Sequence, residues 1–117
     1  MIDAIEQEIQ DKGLIAPRIT PADVTMSIQS EHYFTAGEAV FPGDAISGSD
    51  APTYESLRLL TFCVLVLQNG FTVTGESACA SPENFDAEIG RKIARQNAEQ
   101  KIWPLMGYAL KQKLSEE

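Results

Sequence analysis

Histidine occurs once in this 117-residue chain, at His32, and cysteine twice, at Cys63 and Cys79. No CxxC or HxxxH spacing exists, so no metal centre is expected. Strand alternation would place Cys63 and Cys79 on opposite faces of a ribbon, which also argues against an intrachain disulfide. Basic residues are scarce, nine against seventeen acids, for a net charge of −8. The imbalance is local: residues 1–57 carry ten acids with only Lys12 and Arg18, whereas residues 58–117 are neutral. Without a positive field there is little to neutralise phosphates, so neither nucleic acid nor an anionic membrane surface is an expected partner. Long apolar runs are missing too. The longest, Phe62 to Leu67, is far too short to cross a bilayer as a helix, and Met1-Ile-Asp-Ala-Ile-Glu6 lacks the basic start of a signal peptide. These absences lead us to expect a soluble protein of the cytoplasm, without a cofactor. At this length we expect a single domain, 1–117, that gains stability from association into a homo-oligomer.

What the sequence does hold is a pair of β-rich segments, Leu59 to Gln68 and Phe71 to Ser77, joined by Asn69-Gly70, a pattern that specifies a tight hairpin. With Asn69 and Gly70 as the two central turn residues, Val66 pairs with Val73, Val64 with Gly75 and Phe62 with Ser77. Leu67, Leu65 and Cys63 then stand opposite Thr72, Thr74 and Glu76 on the other face. The Phe71/Val73 face is the one expected to meet a helix. Leu59, Cys63, Leu65 and Leu67 remain on a second apolar face, which must be covered by another strand or another subunit, because an isolated ribbon is only marginally stable.

Around the hairpin the chain reads mainly as helix. Asp3 and Glu6 form a capping-box pattern, Ile2, Ile5 and Ile9 recur at helical spacing, and Lys12-Gly13 ends the segment. Thr20 and Pro21 open a second helix carrying Val24 and Ile28, which should stop near Glu31. His32-Tyr-Phe-Thr35 and Ala39-Val-Phe41 are candidate short strands, and residues 42–53, with Gly43, Asp44, Gly48 and Asp50, read as a surface loop. Ser81 and Pro82 start a long helix with the stripe Phe85, Ile89, Ile93, Ala94, Ala98 and Ile102. Pro104 should break or kink it near Trp103, before a last piece from Leu105 to Leu114. The expected architecture is α+β: a short antiparallel sheet with strands near 58–68 and 71–78, packed by a long C-terminal helix kinked near Pro104, with N-terminal helices.

Several stretches resemble the phage gene-product 49/66 family of small accessory proteins. They are Ser30-Glu-His-Tyr-Phe34, Leu60-Thr-Phe-Cys-Val-Leu65, Asn69 through Cys79, Asn84 through Ala94 and Lys101-Ile-Trp-Pro-Leu105. The resemblance covers about residues 19–114, leaving residues 1–18 as a variable N-terminal helix. It implies a protein of tailed phages or prophages that acts in the cytoplasm of the bacterial host, and it brings no catalytic residues with it.

The chemical candidates are few. Gly75-Glu-Ser-Ala-Cys79 approaches the nucleophile-elbow pattern, with His32 as a conceivable base, but the last glycine is missing and no α/β-hydrolase sheet fits this length. Asp86 and Glu88 sit where a helix N-terminus favours negative charge. No catalytic residue is assigned, and an enzyme is not expected. Arg91, Lys92 and Arg95 read first as a solvated helix face. Arg91 and Arg95, four apart, could instead hold a phosphate or carboxylate while His32 and Tyr33 stack on a base, giving His32, Tyr33, Arg91 and Arg95 as a candidate ligand site. Leu59, Cys63, Leu65, Leu67, Trp103 and Tyr108 are candidate interface residues, with Trp103 read as a core anchor before a hot spot. The leading functional expectation is an interaction protein that binds and inhibits a host target. The alternative is an oligomer that sequesters a small phosphorylated ligand such as a nucleotide signal. An enzyme and a DNA mimic rank behind both.

Overall fold

The computed structural model describes residues 3–43 and 45–117; Ile2 and Asp44, placed above in a helix and a loop, lie outside the described residues. Among the described residues, five α-helices and three strands follow in the order α1 (Ala4–Asp11), α2 (Pro21–Met26), β1 (Ile28–Thr35), α3 (Ala36–Val40), α4 (Ala51–Leu57), β2 (Leu60–Leu67), β3 (Thr72–Ala78) and α5 (Ala87–Ser115). The strands form one antiparallel sheet in the order β1-β2-β3, and α5 lies along one side of it. The fold is thus α+β, as the pattern implied.

Local chemistry accounts for most element boundaries. Asp3 caps α1 by accepting from the Glu6 N–H at 2.8 Å, and Gly13, at φ +65°, ends the segment. Thr20 and Asp23 close a reciprocal capping box on α2. That helix stops at Met26 rather than near Glu31, because Ile28 enters β1 opposite Leu67. Thr35 and Glu38 form a second capping box, so Ala39-Val-Phe41 belongs to α3 and its cap rather than to a strand. Part of the expected loop 42–53 is also helical, since α4 begins at Ala51 with Pro52 in its first turn. Asp86, whose carboxylate accepts from the Ile89 N–H at 3.0 Å, caps α5 in place of Ser81; Pro82–Asn84 form only a 3₁₀ turn. Pro104 does not break α5. The carbonyl it deprives of a donor belongs to Gln100, which is exposed and open to water, so the helix runs on to Ser115.

The turn between β2 and β3 decides which face is the core. It contains three residues, not two: the Gly70 N–H donates to the Leu67 carbonyl at 2.9 Å, the Leu67 N–H donates to the Phe71 carbonyl at 2.8 Å, and the Asn69 side chain accepts from the Phe71 N–H. Gly70 takes the left-handed conformation, φ +88°, while Asn69 does not. The register therefore shifts by one residue from the two-residue expectation: Leu65 faces Val73 and Cys63 faces Gly75. A one-residue slip exchanges the faces of a strand. Cys63, Leu65 and Leu67, expected to need an outside cover, are instead the buried floor under α5, together with Val73, Ala94, Ala98 and Ile102.

The helix contributes small residues to that contact. Its buried positions are Gly90, Ala94, Ala98 and Ile102, one every four residues, whereas Ile89 and Ile93 of the expected stripe are exposed. A Cβ on Gly75 would lie 2.2 Å from the Ala94 carbonyl oxygen and 2.3 Å from the Ala98 nitrogen, so helix backbone rests directly on strand backbone. At this separation larger side chains cannot fit between the layers.

The N-terminal segment is fastened by an ion pair. Arg18 donates to both Glu6 oxygens, at 2.7 and 2.8 Å, and Gln10 adds a third bond at 2.8 Å, leaving Glu6 only 6% exposed. Ile5, Ile9 and Ile19 border the same crevice as Trp103, which is half-buried against the core.

Two outcomes are expected. Gly75→Ala should destabilise the protein by about 3 kcal/mol or abolish folding, because backbone cannot yield as a side chain would; urea denaturation measures it. The Arg18 bonds, with that from Gln10, hold the Glu6 carboxyl at about 2, below its ordinary 4.5. A depressed carboxylate stabilises the fold above its unfolded pKa, and that contribution is lost as pH falls from about 4.5 towards 2. Glu6→Gln should remove this part of the acid dependence, read from thermal melts across that window.

Candidate functional site

The sheet has two apolar faces and one helix layer. β2 is apolar at nearly every position, and its alternate residues Leu60, Phe62, Val64 and Val66 point away from α5. All four are only partly buried. Phe34 of β1 stacks on Phe62 with ring centroids 5.4 Å apart and keeps 37% of its surface exposed. Flanking this apolar strip are Ser30 and His32 on β1, and Thr72, Thr74 and Glu76 on β3. The smallest dimension of the molecule, 17 Å, is that of one helix on one sheet. An apolar centre with a polar border is the anatomy of a recognition surface.

The candidate ligand residues divide between the two sides of the sheet. His32, paired with Val64, lies on the outer face, its Nε2 3.0 Å from the Ser30 hydroxyl. Tyr33 lies on the helix side and packs against the core. There it borders a cleft of about 300 Å³ shared with Tyr54, Arg58, Thr61, Phe85 and Arg91. Arg95 is committed elsewhere: it forms ion pairs with Glu31 of β1 and with Glu99, the latter at 2.7 Å, and so ties α5 to the sheet edge. The structure thus joins Tyr33 with Arg91 and separates both from His32, while Arg95 serves as a strut.

The candidate interface residues divide similarly. Cys63, Leu65 and Leu67 are buried within the chain, and Leu59 lines a narrow crevice with Cys79, Phe85 and Ile89. Tyr108 is 74% exposed, on the part of α5 that lies beside the hairpin turn. The residues of the outer face, Leu60, Phe62, Val64 and Val66, escaped the sequence reading because of the turn. Had Gly70 been read as the left-handed residue of a three-residue loop, they would have emerged as the uncovered set. Arg58, Tyr54 and Phe85 carry no such local signal, since only the tertiary fold brings them together.

No metal-binding group of His, Cys, Asp and Glu side chains exists among the described residues, and no helix of those residues is long and apolar enough to cross a membrane. Burial pushes the Cys63 thiol up from its ordinary pKa, against the smaller opposing effect of a hydrogen bond with Tyr33. Cys79 is half-buried. A thiol reagent at neutral pH should therefore label Cys79 in the native protein and reach Cys63 only after unfolding, as peptide mass mapping would show.

Among known proteins, residues 19–114 match the family described as Phage protein (N4 Gp49/phage Sf6 gene 66) family. The matched span contains all three strands, α2 to α4 and nearly all of α5, and it leaves out α1. No curated protein and no solved structure matches the chain.

Proposed function

Since this chain belongs to the N4 Gp49/phage Sf6 gene 66 family of phage proteins, we propose that it acts in the host cytoplasm as a binding protein without turnover. In this reading the outer face of its sheet docks onto a basic surface of a host protein and inhibits it. The observation that supports the reading is the partly exposed apolar strip of Leu60, Phe62, Val64 and Val66, which no helix covers, with the more exposed Phe34 stacked beside it. Leaving such a strip in water forgoes roughly 25 cal/mol per Å² of apolar surface, so an occupant is favoured on burial alone.

Charge selects the kind of occupant. The chain carries −8, and all of the excess acid lies before residue 58. Two such copies repel at long range, whereas a basic partner is drawn in. The face itself bears Glu76 as its one carboxylate among the outward positions of β2 and β3, so the contact area can be desolvated cheaply.

Val64→Asp places a charge at the centre of the strip, at a position that is only partly buried and faces away from the core under α5, and circular dichroism checks that the variant is folded. The wild type should capture a defined basic protein from host lysate, with affinity falling as salt rises. The folded Val64→Asp protein should lose that capture by a factor of about 100 or more, as a buried unpaired charge costs several kcal/mol. Capture of the same protein by Val64→Asp would overturn the reading. So would a wild-type dimer that Val64→Asp converts to monomer, because a second copy would then fill the face.

A further inference from the structure

Beyond the sheet face, we propose that the cleft between Arg58 and Arg91 is a binding site for a small phosphomonoester carried on a flat ring. The cleft lies at the end of the sheet where β1, α3, α4 and the first turns of α5 meet, and its volume of about 300 Å³ suits one small molecule. Its chemistry is the reverse of the chain's. Two guanidinium groups line it, and Glu38 is the only carboxylate among the lining residues. That carboxylate already accepts from the Thr35 N–H as part of the α3 capping box.

The two arginines are available in different ways. Arg91 has no ion-pair partner among the described residues, although the chain has nearly twice as many acids as bases. Arg58 bonds Glu55 at 3.0 Å, but Glu55 is more than half exposed. A solvated pair of this kind is weak and exchanges readily for a better acceptor. A phosphomonoester is close to a dianion at neutral pH, and its three terminal oxygens can take the donor forks of both arginines at once. A neutral ligand would leave two charges facing each other across the cleft.

The remaining lining selects what the phosphate is attached to. Arg58 sits 5.8 Å from the centroid of the Phe85 ring, so one face of the guanidinium is already held on an aromatic surface and its position is restricted. Tyr33 and Tyr54 supply further ring surface, and Tyr54 is itself fixed edge-on against Phe41. The Tyr33 hydroxyl is occupied in donating to Glu31 at 3.2 Å, which leaves its ring as the contact. Thr61 adds a hydroxyl at the floor. A flat ring can lie on these side chains while its phosphate reaches the arginines.

Phenyl phosphate is the simplest probe, followed by NMR titration of the full chain. It should give saturable shifts at Tyr33, Thr61, Phe85 and Arg91, and bind at least about tenfold more tightly than inorganic phosphate, with phenol giving no shift there. Arg91→Gln and Arg58→Gln should each weaken binding by about tenfold or more. Lys92→Gln, which removes an equal charge one residue away from a solvent-exposed pair with Glu88, should change it less than about twofold. If Arg58→Gln fails to fold, Arg58→Lys takes its place and should show the same loss, since an ammonium lacks the fork. Absence of saturable shifts at millimolar phenyl phosphate overturns the proposal. Equal affinity for inorganic phosphate overturns it, as does a Lys92→Gln loss matching that of Arg91→Gln, which would reveal only a general attraction of anions. Val64→Asp leaves this binding intact, so the cleft and the sheet face stand or fall separately.

Discussion

The close approach of α5 to β3 at Gly75 is the constraint on which the rest of the molecule depends. With the Ala94 carbonyl and the Ala98 nitrogen occupying the space where a Cβ would stand, the helix is pinned to one strand at one height and on one face. The small residues Gly90, Ala94 and Ala98 of the buried row follow from that contact, since only small side chains tolerate such proximity, and Ile102 continues the row at mid-helix beyond it. Gly90 repeats the same device over Thr61, where an added Cβ would come within 3.1 Å of the hydroxyl. Packing of backbone against backbone leaves little room for adjustment, so the sheet presents a single face to the helix.

Once that face is fixed, the properties of the other one follow. β2 supplies apolar side chains to both sides, and a two-layer molecule has only one helix layer to give. Arg95, bridging Glu31 and Glu99, then holds the β1 edge to the helix from the opposite flank, so the sheet is gripped at both edges while no helix covers its outer surface. Of the acids before residue 58, Glu31 belongs to this clamp and Glu6 does not. The Glu6–Arg18 pair attaches α1 beside Trp103, and α1 lies outside the span that matches the family.

The sequence carried the existence of the hairpin, the three sheet-forming or helix-capping signals at Asp3, Thr20 and His32-Tyr-Phe, and the long C-terminal helix. Each of these rests on local chemistry, which a linear reading can see. Parity was lost at Asn69-Gly70, because the same dipeptide serves a two-residue turn and the last two positions of a three-residue loop, and the two differ by one residue of register. That single difference carried Cys63, Leu65 and Leu67 from the expected interface into the core. The stripe on α5 was misread for a related reason: Ile89 and Ile93 looked like the packing face by hydrophobicity, but the space available was set by Gly75, fourteen or more residues away. α3 and α4 are short and had no apolar period to announce them.

The arginines show how far residue type can mislead when geometry is absent. Arg91 and Arg95 are four apart and share a helix side, so spacing alone made them one site. In three dimensions they part company: Arg95 is saturated by two carboxylates and braces the fold, whereas Arg91 lines a cleft with Arg58, a residue thirty-three positions earlier. An arginine with two carboxylates has no free donor fork to offer a ligand, and one with none retains all five donors. In a chain with nearly two acids for every base, this cleft collects two guanidinium groups against the single carboxylate of Glu38, and Arg91 has no ion-pair partner among the described residues. That imbalance, more than the volume of the cleft, is what distinguishes it from the other surface depressions of the molecule.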